Sequence, residues 1–452
     1  MTPAAARHIH SETVPSPFRL RLSSSSLFAG ATLILLAAPL AFGAVQPWAI
    51  FLLESSAALL FLAWGFRQWR DRELRVAWHP LYAPMLAFAS IVLLQWITGI
   101  TAYRQVTSSL LLLYVAYGML VFVASQTLRR SSQIRVLASV VCGYGLVLAS
   151  FSLLQGIAPN GKLYWIWPLE QGGLIYGPYV NHNHYAGLME LLLPFPLVLA
   201  LSRHTEGNRK LVVAGIAALM AGTIFLSGSR GGMLAFGVQV IVLAVLLRKR
   251  GDWKQPLALG VFLALMIGFL IWLGGNELTH RLASIQTEAR QELTGGVRMT
   301  IDRDCLRMVR EKPLLGWGLG AFPVVYPQFR TFYTSFFVNQ AHNDYLQLLV
   351  ETGFAGFAVA LWFLFIVFRG VAAKLRNWTE TVNGTLSAAA LLGCIGILVH
   401  SFLDFNLQIP ANAALFYVLC AIAASKPFQE SQRRRSRRYH LILEPITRET
   451  ES

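Results

Sequence analysis

The chain has 452 residues, of which 55% are hydrophobic and 13% charged, where a water-soluble domain carries about a quarter charged residues. Its 38 Lys+Arg outweigh 22 Asp+Glu for a formal charge of +16, yet no Lys-rich stripe accompanies that excess, and the chain is far too apolar for a disordered basic tail. The composition predicts an integral membrane protein in contact with membrane lipids, with no nucleic-acid partner.

A helical span takes roughly 20 apolar residues. Apolar runs fall near residues 27 to 45, 48 to 66, 80 to 97, 108 to 125, 136 to 156, 185 to 202, 211 to 228, 232 to 247, 256 to 275, 345 to 368, 385 to 401 and 411 to 425. They predict an all-α protein of about 12 transmembrane helices. Continuous apolarity excludes an outer-membrane barrel, whose strands are polar at every second residue. The first run follows a polar, Ser-rich stretch, lacks a cleavage site and leads into further spans, so it reads as the first helix and not as a signal peptide. Glu54 and Glu190 fall inside runs; intramembrane acids are costly and often functional, but both lie near a run's end, where interfacial placement also accounts for them.

Lys and Arg mark the cytoplasmic side. RQWRDRELR, QTLRRSSQIR, RHTEGNRK, RKRGDWKQ and RGVAAKLRN alternate with loops poor in both. This predicts a cytoplasmic tail over 1–26, a membrane domain over 27–425 and a basic cytoplasmic tail over 426–452, whose QRRRSRR sits on anionic headgroups. Nearly all of the positive excess then belongs to the inner side. The opposite side carries GKLYWIWPLEQGGLIYGPYVNHNH, SGSRGG, LDFNLQIP and a long extracytoplasmic segment, 276–344. Loops beyond about 15 residues are usually functional or disordered. This one shows helical periodicity in RMTIDRDCLRMVRE before the turn-rich PLLGWGLGAF, which predicts an ordered, partly helical lid. The four cysteines give neither a disulfide framework nor a CxxC metal site, and no Walker loop or nucleotide fingerprint is present.

Four features on that side can carry chemistry. Arg230, in FLSGSRGGML, is flanked by glycines that leave room for a large anion, though a tight turn with a snorkelling Arg reads equally well. In the long loop Arg303, Arg307 and Arg310 share one helical face with compensating acids, a solvated arrangement, whereas Arg298 lies a turn earlier and is the candidate to face a site. His342 precedes a helix that Asn343 or Asp344 can cap; it suits a proton acceptor near neutral pH, or a capping role. NHNHYAG, with Asn181, His182, Asn183 and His184, reads as a polar network ordering an acceptor or a helix start. A metal needs further ligands from His280, His342, His400 or Asp404, none in a spaced motif, so no metal or other cofactor is predicted.

SGSRGG after a span, Arg298 followed by PLLGWGLGAF in a long loop, and HNDYLQLLVETG at the next span together resemble the O-antigen ligase / O-antigen polymerase superfamily of bacterial inner-membrane glycosyltransferases. NHNHYAGLMELLLP is similar to a segment of its protein O-oligosaccharyltransferase branch, although His182 stands where Arg is frequent, and Cys305 where a bulky residue is common. The resemblance implies a metal-independent GT-C-like fold in the bacterial inner membrane, with both termini cytoplasmic and the active site periplasmic. It implies an undecaprenyl-diphosphate-linked glycan as donor and a hydroxyl on lipid A core, another glycan or a protein as acceptor. By motif, Arg230 and Arg298 correspond to the diphosphate-binding arginines and His342 to the catalytic His, with His184, Asn183, Asn343 and Asp404 as candidates to hold the acceptor or support the site. Ligase chemistry is the leading expectation, with polymerase or protein glycosylation as alternatives. A multispan transporter or flippase is the rival of another class, disfavoured because the ionisable residues gather on one face and no broken-helix pair in related halves is evident.

Overall fold

The computed structural model describes residues 23–128, 130–168, 175–248, 256–264, 266–268, 295–334 and 337–426. The tail 1–22, residues 269–294 with His280, and the tail 427–452 with QRRRSRR lie outside the described residues. Among the described residues the fold is helical apart from one antiparallel pair of two-residue strands, β1 (Lys162–Leu163) and β2 (Trp167–Pro168).

Among the described residues, eight helical stretches are long and apolar enough to cross a membrane: α2 (Pro47–Arg70), α4 (Arg104–Thr127), α5 (Ser131–Ile157), the pair α6 (His182–Leu192) and α7 (Pro194–Leu201), α8 (Asn208–Ser227), α9 (Arg230–Arg248), α13 (Asp344–Ala372) and α14 (Val382–His400). Shorter apolar helices are α1 (Ser24–Leu40), α3 (Tyr82–Thr98), α10 (Pro256–Gly268) and α15 (Pro410–Ala424). Large apolar side chains such as Phe51, Leu59 and Leu62 on α2, Leu112 on α4, Leu154 on α5 and Phe365 on α13 face outward. Lipid, and not water, accommodates such a surface, because the helices satisfy their own backbone groups. Trp48, Trp69 and Trp96 lie exposed near helix ends, as interfacial anchors do.

At the centre, α14 packs against α6, α7, α9 and α15. Small residues permit this closeness: a Cβ on Gly393 would lie 3.0 Å from the Leu191 carbonyl oxygen. Gln239 of α9 fastens the layer, its Nε2 donating to the Glu190 and Leu392 carbonyls at 2.8 and 2.9 Å. Small interfaces with buried amide bonds are how helices associate without a hydrophobic driving force.

The long loop has a small core of its own. Its helix α11 (Gly295–Glu311) and short helix α12 (Phe322–Val325) bury Ile301, Cys305, Met308, Phe322 and Tyr326 against Ala341 and Val350. Arg303, Arg307 and Arg310 are exposed. Asp304, expected merely to balance them, is fully buried and organises the loop: it accepts from the Tyr326 hydroxyl (3.2 Å) and from the Thr331 amide (3.2 Å) and hydroxyl (3.0 Å).

What seats this loop on the bundle is a break in α13. At Gly353 the backbone turns to φ 63°, ψ −168°, a region essentially restricted to glycine. The amides of Phe354 and Ala355, which a continuous helix would pair with Val350 and Glu351, instead donate to the Pro313 and Leu314 carbonyls at 2.8 and 3.1 Å. The freed Val350 and Glu351 carbonyls accept from the Trp317 and Gly318 amides, each at 2.9 Å. PLLGWGLG is thus threaded into the helix, with Gly316, Gly318 and Gly320 all at positive φ. Gln95 of α3 closes the exchange by donating to Leu315 and Glu351 carbonyls.

A Cβ at position 353 would run into the Leu314 carbonyl and lie 2.7 Å from the Leu315 amide nitrogen. Gly353→Ala is therefore expected to cost at least about 2 kcal/mol, seen as a lower melting temperature of the purified protein; an unchanged or raised melting temperature would contradict the threaded geometry.

Candidate functional site

One end of the bundle collects the start of α6, the α8–α9 turn, the start of α13 and the α14–α15 turn. The last of these, His400 to Pro410, is the hub. Ser401 accepts the Asp344 amide through its carbonyl at 2.9 Å and donates its hydroxyl to the Asp344 carboxylate at 2.8 Å. Asp344 also accepts from the Leu407 amide at 3.0 Å. Asn343, not Asp344, caps α13, its side chain accepting from the Tyr345 and Leu346 amides at 3.2 Å each. With cap and carboxylate so engaged, His342 is held at φ 55°, a left-handed conformation uncommon outside glycine.

That conformation brings His342 Nδ1 to 3.4 Å from Asp404 Oδ1, close enough for a charge contact though not aligned as a hydrogen bond. Asp404 is 1% exposed. Burial would push its carboxyl up, but the adjacent His342, with His184 and Arg298 nearby, holds it well below the usual carboxylate range. Phe405 lies between the imidazoles, 4.7 Å from the His184 ring and 4.9 Å from that of His342. Arg298 Nη1 donates to the Leu403 carbonyl at 2.9 Å, so the loop arginine is tied to the residue preceding Asp404. Burial pushes the neighbouring Asp302 up, against the opposing pull of Asn343 and Arg298.

NHNHYAG enters from the other side. Asn181 caps α6 through the Asn183 amide at 2.8 Å, and His182, Asn183 and His184 are all buried. Asn412 Nδ2 donates to the His184 carbonyl at 3.0 Å, and Tyr179 donates to Asn412 at 2.7 Å. The aromatics of this stretch divide: Tyr176, Tyr179 and Tyr185 are core, while Trp165 and Trp167 pack at the surface on Phe151 and Phe42. His184 Nε2 is buried with no hydrogen-bond partner among the described residues. No group of three or more His, Cys, Asp or Glu among the described residues is arranged to hold a metal ion.

Arg230 opens α9 and is exposed. Gly228 ends α8 at φ 78°, and Ser229 Oγ accepts the Gly232 amide at 3.1 Å. The two glycines after Arg230 make room for protein and not for a ligand: a Cβ on Gly231 would lie 2.5 Å from the His400 ring, and one on Gly232 2.7 Å from Ala186. The tight turn brings Gly231 against the His400 ring, while the neighbouring Arg230 stays exposed.

Beneath it lies a pair that the sequence did not reveal. Glu190, expected at an interface, is 0% exposed, and its Oε1 is 2.7 Å from His400 Nδ1, itself 1% exposed. The carboxylate inside an apolar run was the available signal; its partner 210 residues away was not readable. The structure thus brings His342, Asp404, Arg298, His184 and Asn343 into one cluster, with Asn183 buried in α6 beside it; Arg230 is exposed, next to the Gly231 that meets His400.

Removing one partner of a buried pair strands the other, at a cost of about 3–5 kcal/mol. Glu190→Ala and His400→Ala should each lower the melting temperature markedly, and the Glu190→Leu/His400→Leu double variant should recover much of the loss; strict additivity of the two would contradict a coupled pair. Asp404 has its folded pKa depressed below an unfolded value of about 3.9, so its contribution is complete above that value and lost as pH falls through the folded one. The stability gap between the protein and Asp404→Asn should persist from pH 8 to pH 5 and narrow only on further acidification; closure between pH 7 and pH 5 would count against it.

Residues 215–361 match the family model described as O-antigen ligase, a segment that holds Arg230, Arg298 and His342 together with the threaded loop. No curated protein matches the chain. The family points to a ligase- or polymerase-type glycosyltransferase with glycan and lipid-linked substrates in general and, with the apolar helices, to a multi-pass membrane protein. The match over residues 215–361 is consistent with the O-antigen ligase superfamily.

Proposed function

We propose that the chain is an O-antigen ligase-type glycosyltransferase that moves a glycan from undecaprenyl diphosphate to an acceptor hydroxyl, with lipid A core as the acceptor. In this reading the eight long and four shorter apolar helices make a bundle of about 12 spans, GT-C-like in type. It lies in the bacterial inner membrane with both termini cytoplasmic and the site on the periplasmic face. The observation that carries the proposal is the convergence of Arg298 and His342 on consecutive residues of one turn, Leu403 and Asp404, whose first residue, His400, meets Gly231, the neighbour of Arg230.

A glycan on diphosphate already has a good leaving group. The site must bind the departing diphosphate and accept one proton. Arg230 and Arg298 supply planar forks for the phosphate oxygens, strengthened where water is excluded. Guanidinium charge takes the part a divalent cation plays in many phosphate sites. His342 has Nδ1 3.4 Å from Asp404 Oδ1; tightening of that contact when substrate binds would fix the tautomer and leave Nε2 to accept the acceptor's proton. As that oxygen bonds to C1 of the first sugar, the C1–O bond to phosphate breaks, undecaprenyl diphosphate departs, and the single displacement inverts the anomeric carbon. Asn343 and the strained backbone of His342 hold the imidazole in place, which is the positioning that two membrane-tethered substrates require. His184 and Asn183 stand on the flank where an acceptor hydroxyl would approach.

Purified protein offered undecaprenyl-diphosphate glycan and lipid A core should transfer the glycan without lengthening it, and should do so unchanged in EDTA. Arg230→Ala, Arg298→Ala and His342→Ala should each lower transfer about a hundredfold or more. Elongated lipid-linked product would favour the polymerase; unaffected transfer in all three variants would overturn the site.

A further inference from the structure

A cavity opens beside the first turns of α13. It has a volume of about 410 Å3, within the range of about 300–1,000 Å3 typical of small-molecule sites. Its walls come from the start of α4, the GLGAF segment, the start of α13 and the α14–α15 turn. Gln105, Ser109, Gln340, Gln347, Gln408 and Glu351 bring polar groups to these walls, beside apolar surface from Val106, Leu110 and Pro323. Gln347 and Glu351 form a buried floor, joined to each other at 3.2 Å and, through Gln347, to Gln340. Tyr103, Gln105 and Ser109 form an exposed rim. Gln408 links the cavity to the transfer centre, for its Nε2 donates to Asp344 at 3.4 Å.

We propose that this cavity is a glycan subsite, holding one or two uncharged sugar residues beside the transfer centre; the assignment rests on the transferase reading above. Gln347 is engaged with Ala341, Gln340 and Glu351, which leaves the amide donors of Gln105 and Gln340 and the carbonyl acceptor of Gln408 as the groups that can meet sugar hydroxyls. Tyr103 adds a ring at the rim for a sugar face. Among the described residues no Arg, Lys or His lines the cavity, and Glu351 is its one carboxylate, so it offers no cation to the diphosphate that Arg230 and Arg298 attract. The molecule thus separates an anion-binding region from a neutral hydroxyl-binding one, joined through Asp344. Glu351 itself holds the loop, since the Gly320 and Phe322 amides face its carboxylate. The rim is therefore the place to perturb.

Gln105→Trp and Ser109→Phe fill the cavity from exposed positions one turn apart on α4 and touch nothing in the transfer centre. Saturation-transfer NMR would be run on the full chain in sugar-free nanodiscs with a panel of neutral trisaccharides and, as anionic control, inorganic pyrophosphate. At least one trisaccharide should bind, both variants should weaken it about fivefold or more, and pyrophosphate should not displace it. No saccharide binding, binding unchanged in both variants, or displacement by pyrophosphate overturns the proposal. In transfer assays the variants should raise the KM for one substrate, donor or acceptor, which identifies whose glycan occupies the cavity; if neither KM moves, the subsite is wrong. A chain that binds saccharide in the cavity yet transfers no glycan refutes the transferase reading and leaves the subsite standing.

Discussion

The arrangement depends on the break in α13 at Gly353. A continuous helix would spend the Phe354 and Ala355 amides on its own carbonyls and offer the long loop nothing but side chains. By exchanging two intrahelical bonds for four to the 313–318 segment, the helix gives the loop a backbone ladder inside the bundle. The loop then brings α11, and with it Arg298, onto the Leu403 carbonyl. A helix break at membrane depth is tolerated where the freed groups find partners within the protein, and here Gln95 and the loop itself supply them.

From that anchor the polar groups at this end form a graded set. Asp344 and Asn343 fix the start of α13 and force His342 into its left-handed conformation. Asp404 faces His342 from the next turn, and below it the Glu190–His400 pair supports the close approach of Gly231, the neighbour of Arg230. Buried polar groups on this scale are costly unless each is matched. Their concentration at one end of an otherwise apolar bundle is the physical case for a functional centre there.

Much of this was legible in the sequence, and the reason is local. Each of the twelve apolar runs falls on a helix, although the run at 256–275 extends beyond the described residues, because helical hydrophobicity is written in consecutive residues. The periodicity of RMTIDRDCLRMVRE marked α11, and SGSRGG, Arg298 and His342 stood out by residue type. What escaped were pairings across long separations. Glu190 looked interfacial because its distance from a run's end was visible and His400 was not. The glycines beside Arg230 suggested space for a ligand, whereas the space is taken by His400 and Ala186. Asp304 and Asp344 looked like surface balance and a cap, and are buried anchors.

The central claim is a division of labour, with arginines for the diphosphate and His342 for the proton. It is tested most directly by binding of an undecaprenyl-diphosphate glycan to protein held in nanodiscs, followed by the 31P resonances of the donor. His342→Ala should bind the donor as the unaltered protein does, while Arg230→Ala and Arg298→Ala should each weaken binding about tenfold or more. Donor affinity that survives both arginine substitutions, or that falls with His342 alone, would contradict that division.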